Sequence, residues 1–364
     1  NRYVVPNIDE ERMKESYLKE FDAFLKERLS YQTDGAALEL QSIFFGGGSP
    51  SLAPTSLIKT IIDHTKSSII PSDDLEITLE ANPTSTETKK MEEWAKAGVN
   101  RVSIGVQSLR EDDLKYLGRK HNVQEAITAI STAQKIFQRS SFDLIYARHD
   151  KQTVSQWEEE LQEAIDLSAG HLSLYSLTIE PNTPFYKKYV TNQISLPKDE
   201  KGAEMFERTI EICEKNGLNQ YEVSNFAKEG HECKHNLVYW NSGEWIGIGP
   251  GAASRLNLGK RTSFLQMKNP NKWMNSVNEN GIAFAEKEEI SDIEQIEEIL
   301  LMGLRTKKGV SNPHIAKFLL DILHNKDLES SVKLKRLIQN NLLLLDEKTV
   351  RVTSSGLSVL NGIL

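Results

Sequence analysis

Hydrophobic and polar positions follow two different periods along this chain, and the switch between them repeats. Short β-branched or aromatic runs fall at 42–45, 75–80, 101–106, 142–146, 172–179 and 220–224. Between them, stretches near 10–29, 54–67, 85–97, 123–137, 154–167 and 198–216 carry the three-and-four spacing of amphipathic helices. This alternation predicts a parallel α/β sheet or barrel from residue 10 to about 225. In the stretch 85–97, Met91, Trp94 and Ala95 share one face and Gly98 follows as a C-terminal cap. In 198–216, Ala203, Phe206, Ile210 and Cys213 share a face and Gly217 ends the helix. Cys213 therefore reads as a core residue, since a free cysteine packs as a small hydrophobe.

The rhythm breaks after residue 225. Residues 226–285 read as irregular and rich in Gly, Asn and aromatics, which suits a loop-bearing extension closing one end of the barrel. An acidic helix is expected from near Glu286, with Ile293, Ile296, Ile299, Leu300 and Leu304 on its apolar side. From Lys333 to Leu364 the pattern reads helix, strand, turn, strand, helix, a small winged-helix-like module. The expected division is 1–225 for a partial (βα)6 barrel, 226–285 for the extension and 286–364 for the terminal module. A parallel barrel opens with a strand, whereas this chain opens with a helix, so the first strand and its loop are expected upstream of Asn1.

Composition narrows the functional classes. The 364 residues suffice for a barrel-sized domain and a smaller one. Only Cys213 and Cys233 are present, too few for a secreted disulfide framework, which points to a reducing compartment. A net charge of −8 argues against a general binder of nucleic acid or anionic membranes. The terminal module is accordingly read as a packing or partner surface rather than a DNA reader. No apolar run approaches the length that spans a bilayer.

The chemistry collects where apolar runs end. Phe44 and Phe45 lead into Gly46-Gly47-Gly48-Ser49-Pro50, where three residues without Cβ let a ligand approach main-chain N–H groups, although a glycine turn alone would look the same. Glu80 ends the run Leu75–Leu79 and can accept from two hydroxyls, such as a ribose diol, or serve as a helix cap or a buried ion-pair partner. Gln107 ends Val102–Val106, and its neutral amide both donates and accepts. Arg119 offers a fork for a carboxylate, or is a solvated loop charge. Asp143 lies within the apolar run Phe142–Tyr146 and calls for a ligand amine or an arginine beside it.

Taken together, these motifs resemble the radical S-adenosylmethionine (SAM) superfamily and, within it, the coproporphyrinogen III oxidase-like branch. The resemblance implies that Gly47, Gly48 and Ser49 bind the methionine end of SAM and that Glu80, Gln107, Arg119 and Asp143 contact the same ligand. The segments Tyr221–Phe226, His235–Trp240 and Gly247–Ala252 look like this branch in particular. Met302–Thr306 and Leu342–Asp346 are similar to its animal mitochondrial members. Members hold a 4Fe-4S cluster on Cys-x3-Cys-x2-Cys, from which one electron cleaves SAM to a 5′-deoxyadenosyl radical. That motif is lacking here, and because Asn1-Arg2-Tyr3 resembles the residues after the last cluster cysteine, the cluster ligands are expected upstream of Asn1. The chain also departs from the family at Ala147-Arg148-His149-Asp150-Lys151, where a short glycine- and proline-containing loop is usual.

Two functions follow from the resemblance. One is a haem chaperone that binds haem, SAM and the cluster and delivers haem to respiratory proteins in the mitochondrion, or in the cytoplasm. The other is an oxygen-independent coproporphyrinogen III oxidase, which converts propionates to vinyl groups. For haem, His235 is the candidate axial ligand and Cys233 a lesser one; the same pair beside Tyr239 and Trp240 also reads as a packed turn. A phosphate-binding barrel enzyme would account for the glycine loop but not for the polar residues at four strand ends.

Overall fold

The computed structural model describes residues 9–32, 35, 37–325 and 329–364. The motif at Asn1-Arg2-Tyr3 lies outside the described residues. Seven strands form one curled half-barrel sheet: β1 (Glu39–Phe45), β2 (Ile70–Ala81), β3 (Arg101–Gln107), β4 (Arg139–Tyr146), β5 (His171–Ser176), β6 (Asn219–Glu222) and β7 (Asn225–Ala227), in the order β1-β2-β3-β4-β5-β7-β6. Strands β2 to β5 pair in parallel, and helices such as Met91–Lys96, Val123–Ile136 and Val154–Leu167 connect them. Asn122 and Thr153 open two of these helices with reciprocal capping boxes, which fix where strand-following loops turn into helix.

The period of two along the strands sorts side chains onto two faces. Ile77 and Leu79, Val102, Ile104 and Val106, and Phe142 and Leu144 are buried apolar residues on one face. The other face carries Thr78 and Glu80, Arg101, Ser103 and Gln107, Ser141 and Asp143, and Ser173. These polar residues meet across the sheet because the register sets Thr78 beside Arg101, Ser103 beside Ser141, and Asp143 beside Ser173. Arg101 Nη2 donates to Ser141 Oγ (2.8 Å), Ser141 Oγ to Ser103 Oγ (3.1 Å), and Ser173 Oγ to Asn225 Oδ1 (2.6 Å). Buried polar groups at such a face are tolerated because they are paired.

Several expectations are corrected. The run 220–224 is not one strand: β6 ends at Glu222, the chain reverses, and antiparallel β7 is the neighbour of β5. Glu222 makes that reversal by accepting from the Ser224 N–H (2.9 Å) and from Asn225 Nδ2. The strand expected to reach 179 stops at Ser176, after which the Leu177 N–H turns to the Tyr146 carbonyl (3.0 Å). The helix expected over 85–97 is two, Ser85–Thr88 and Met91–Lys96, and short helices also form at Glu111–Tyr116 and Pro184–Val190. In Asp199–Lys215 the buried face is Met205, Thr209 and Cys213, leaving Ala203 exposed. Thr209 faces inward because its hydroxyl accepts from Trp157 Nε1 (2.8 Å).

The described residues gather into two compact units that do not follow chain order. The first comprises the chain up to Ile43, Ala53–Glu76 and Lys234–Gly303. Its segment Lys234–Gly303 carries an antiparallel meander of β8 (Ala253–Leu258), β9 (Lys260–Gln266) and β10 (Phe284–Glu289) and a helix, Pro270–Asn280, so much of the stretch expected to be irregular, 226–285, is regular. Glu286 lies in β10, an edge strand whose charged residues discourage further pairing, and the acidic helix begins at Asp292. Helix Glu10–Ser30 packs on this assembly through Phe24 against Leu256 and Phe264. The second unit comprises Phe44–Leu52, Ile77–Cys233 and Leu304–Leu364. Its terminal part is the expected winged-helix-like module, a three-stranded sheet of β11 (Val310–Ser311), β12 (Leu343–Leu345) and β13 (Thr349–Val352) with helices Pro313–His324 and Glu329–Gln339.

Candidate functional site

The carboxyl ends of β1 to β4 open into a polar cavity of about 190 Å³ within the second unit. Gly48, Ser49, Glu80, Gln107, Arg119 and Asp143 all line it, so residues from five separate motifs meet in one place. Gly47 and Gly48 have φ of +76° and +67°, which only glycine adopts freely, and the Gly47 N–H thereby points at Glu80 Oε2 (3.2 Å). At Gly46 a Cβ would collide with the Phe44 ring and crowd the Glu80 carboxyl. Across the sheet, Gln107 Nε2 donates to Asp143 Oδ2 (2.8 Å). Gln107 itself sits at φ +74°, a conformation that costs an ordinary side chain and aims this amide at its partner.

The electrostatics follow from crowding like charges. Burial, with the Glu80 charge adding to it, pushes the Asp143 carboxyl up to about 7, against the opposing pull of Arg119 and the Gln107 hydrogen bond. Burial also raises Glu80, while the Gly47 N–H holds it down. With both carboxylates ionised and Arg119 charged, the cavity carries a formal charge of −1. Such a site favours a cationic ligand that also presents a carboxylate or hydroxyls.

Sequence reasoning missed Asn82 and Ser103, which also line the cavity. Asn82 is fixed by Glu87, which accepts from its N–H (2.6 Å) and its Nδ2 (3.1 Å). Ser103 lies two residues from Arg101 and four from Gln107 on the polar face of β3, a period-two signal that the sequence does contain. His121 was likewise passed over; its Nε2–H donates to the Val106 carbonyl (3.0 Å) and ties the Arg119 loop to β3.

The remaining candidates are not among the residues lining this cavity. His235 belongs to the first unit, in helix Lys234–Trp240, with its ring edge-on to Tyr239 (4.6 Å) and Tyr239 edge-on to Trp245 (4.6 Å). Cys233 is 1% exposed, which removes it as an accessible haem ligand. Cys213 is also buried, and burial raises its thiol far above the thiolate range. Among the described residues no group of three or more His, Cys, Asp or Glu is placed to hold a metal ion. The described side chains therefore do not supply the ligands of an iron–sulfur cluster.

A curled half-barrel with a glycine turn and polar residues at successive strand ends is the fold of this class, and sequence comparison shows that the chain belongs to the radical SAM superfamily. Residues 25–164 match the model of that superfamily, and residues 290–359 match that of the HemN C-terminal domain. The chain is 35% identical over 370 residues to "Radical S-adenosyl methionine domain-containing protein 1, mitochondrial" of Danio rerio, an alignment covering 100% of this chain and 82% of that one. It is 35% identical over 322 residues to "Heme chaperone HemW" of Bacillus subtilis, covering 87% of this chain and 83% of the relative. Among solved structures, the radical SAM enzyme coproporphyrinogen III oxidase (HemN) from Escherichia coli superposes with a TM-score of 0.73 over 99% of this chain and 84% of its own, at 19% identity. That likeness establishes the shared fold.

Proposed function

We propose that the protein is a SAM-binding haem chaperone of the mitochondrion. The observation that carries the SAM reading is the convergence of Glu80, Gln107, Arg119 and Asp143 on the cavity beside the glycine cradle. SAM is a monocation at neutral pH, with an ammonium, a sulfonium, a carboxylate and a ribose diol. Arg119 matches the carboxylate, Glu80 the diol, Asp143 the cationic groups, and the backbone around Gly47 and Gly48 the methionine end. SAM supplies radical chemistry in this superfamily when a 4Fe-4S cluster accompanies it. The residues described here orient the ligand and neutralise its charge.

The chaperone reading is supported by the similarity to "Heme chaperone HemW", and the mitochondrial location by the printed name of the Danio rerio relative. Haem is cargo in this reading, and respiratory proteins are the recipients. His235 is its axial ligand, offered from a half-buried helix whose Tyr239 and neighbouring Trp245 form an aromatic row suited to a porphyrin face. Haem titration followed by absorbance tests this: defined stoichiometry is expected for the wild type, with a changed Soret band in His235→Ala. Chromatography of coproporphyrinogen III incubated anaerobically with SAM, reductant and a cluster-loaded form that carries the Cys-x3-Cys-x2-Cys segment should show no divinyl product. Steady formation of that product would make the protein an oxidase instead.

A further inference from the structure

The loop at Ala147–Lys151 contains a heavily bonded buried charge. Arg148 is 1% exposed. Its Nη2 donates to both Glu160 Oε2 and Asp113 Oδ2, each at 2.6 Å, and its Nη1 reaches the Ile145 carbonyl (2.8 Å) and Ser108 Oγ (3.2 Å). Glu160, fully buried on helix Val154–Leu167, accepts from Ser108 Oγ (2.6 Å) and the Leu109 N–H (2.7 Å). The Arg148 N–H bonds Gln152 Oε1 (3.0 Å), which closes the loop on itself.

What this network holds is the rim of the cavity. Ser108 and Leu109 are the two residues after Gln107, whose φ of +74° requires support from its surroundings. Ile145 lies two residues after Asp143. Asp113 sits on helix Glu111–Tyr116, whose Leu114 carbonyl accepts from the Arg119 N–H (2.9 Å), and it also bonds His149 Nε2 (3.1 Å). One guanidinium thus ties together the segments that present Gln107, Asp143 and Arg119. We propose that Arg148, with Glu160 and Asp113, is a positioning group that sets the Gln107–Asp143 hydrogen bond and the Arg119 loop for ligand binding. The planar fork is what suits it to bridge two carboxylates, a hydroxyl and a carbonyl at once, which a lysine cannot do. This inference rests on the cavity being a SAM site.

Calorimetric titration with SAM across pH tests it, using a form of the protein that carries the Cys-x3-Cys-x2-Cys segment and is anaerobically reconstituted with iron and sulfide. Removing Arg148 alone would strand the buried Glu160 carboxylate and the half-buried Asp113 carboxylate, so the informative variant is Arg148→Met with Asp113→Asn and Glu160→Gln, which removes the charges together. Arg148→Lys is the second variant, keeping the charge without the fork. Both are expected to fold, with SAM affinity lowered about tenfold or more. The pH midpoint of SAM binding should also rise, because Asp143 loses the Gln107 hydrogen bond while still facing Glu80, Arg119, Arg101 and Tyr175. A purely structural network would lower the melting temperature and leave that midpoint in place. Wild-type affinity and midpoint in either folded variant would overturn the proposal, and should the triple variant fail to fold, Arg148→Lys decides it. If the wild type itself takes up no SAM, the reading of the cavity fails first and the positioning role falls with it.

Discussion

At the scale of single residues, the cavity was legible wherever a charged or amide side chain closed an apolar run, because leaving such a group at a buried strand end is costly without a purpose. That rule found Glu80, Gln107 and Asp143. It did not find Asn82, which follows β2, or Ser103, a small hydroxyl inside β3 that only the period of two marks, nor Arg148, whose partners Asp113 and Glu160 lie 35 and 12 residues away in the chain. Asp143 yields a prediction with a definite sign. Its folded-state pKa of about 7 lies above the ordinary carboxylate value, so the native state holds the proton more tightly than the unfolded chain. The carboxyl's favourable contribution is complete below about pH 4 and is lost as pH rises through about 7, at ~1.4 kcal/mol per unit of displacement. Asp143→Asn should therefore be more stable than wild type at pH 8, with the difference vanishing near pH 4. Urea unfolding at both pH values measures this. Equal stability at pH 8 would show that the carboxyl is not strained by its surroundings.

Among elements, strands β2 to β5 and the long helices were readable because one face is largely apolar. The meander β8–β10 was not, since its inward positions include Ser254, Thr262 and Gln266 and so blur the alternation of hydrophobic residues. The β6–β7 reversal was hidden for a different reason: Glu222 bonds locally to Ser224 and Asn225, and turn chemistry of that kind leaves no hydrophobic signature. Helix Glu10–Ser30 shows how the first unit is pinned. Its buried Glu20 accepts from the Gly249 N–H (2.8 Å), Trp273 Nε1 (2.9 Å) and the Ala283 N–H (3.3 Å), joining three segments of that unit. Burial nevertheless raises its carboxyl to about 7. Glu20→Ala leaves three buried donors without an acceptor and should lower stability by about 2–5 kcal/mol. Chemical denaturation would detect this as an earlier transition of the first unit, followed by tryptophan fluorescence at Trp273. An unchanged midpoint would mean that the three donors find other acceptors.

For the molecule as a whole, two compact units were not foreseeable from a division by chain order, because β1 and β2 each contribute residues to both. What did carry through was the set of strand ends, since β1 to β5 lie side by side in chain order. Net charge added little to the functional reading, whereas the local balance of two carboxylates against one guanidinium says which ligand charge the cavity accepts. On that balance, SAM affinity should strengthen as pH rises through about 7 and Asp143 ionises. The most direct measurement is calorimetric titration with SAM of a form that carries the Cys-x3-Cys-x2-Cys segment and is anaerobically reconstituted, comparing wild type with Gly47→Val combined with Glu80→Ala. Wild type should bind one equivalent. In the double variant a branched side chain at φ +76° distorts the cradle and the Glu80 acceptor is gone, so binding should fall by at least tenfold. Undiminished binding by a folded double variant would contradict the assignment of this cavity to SAM.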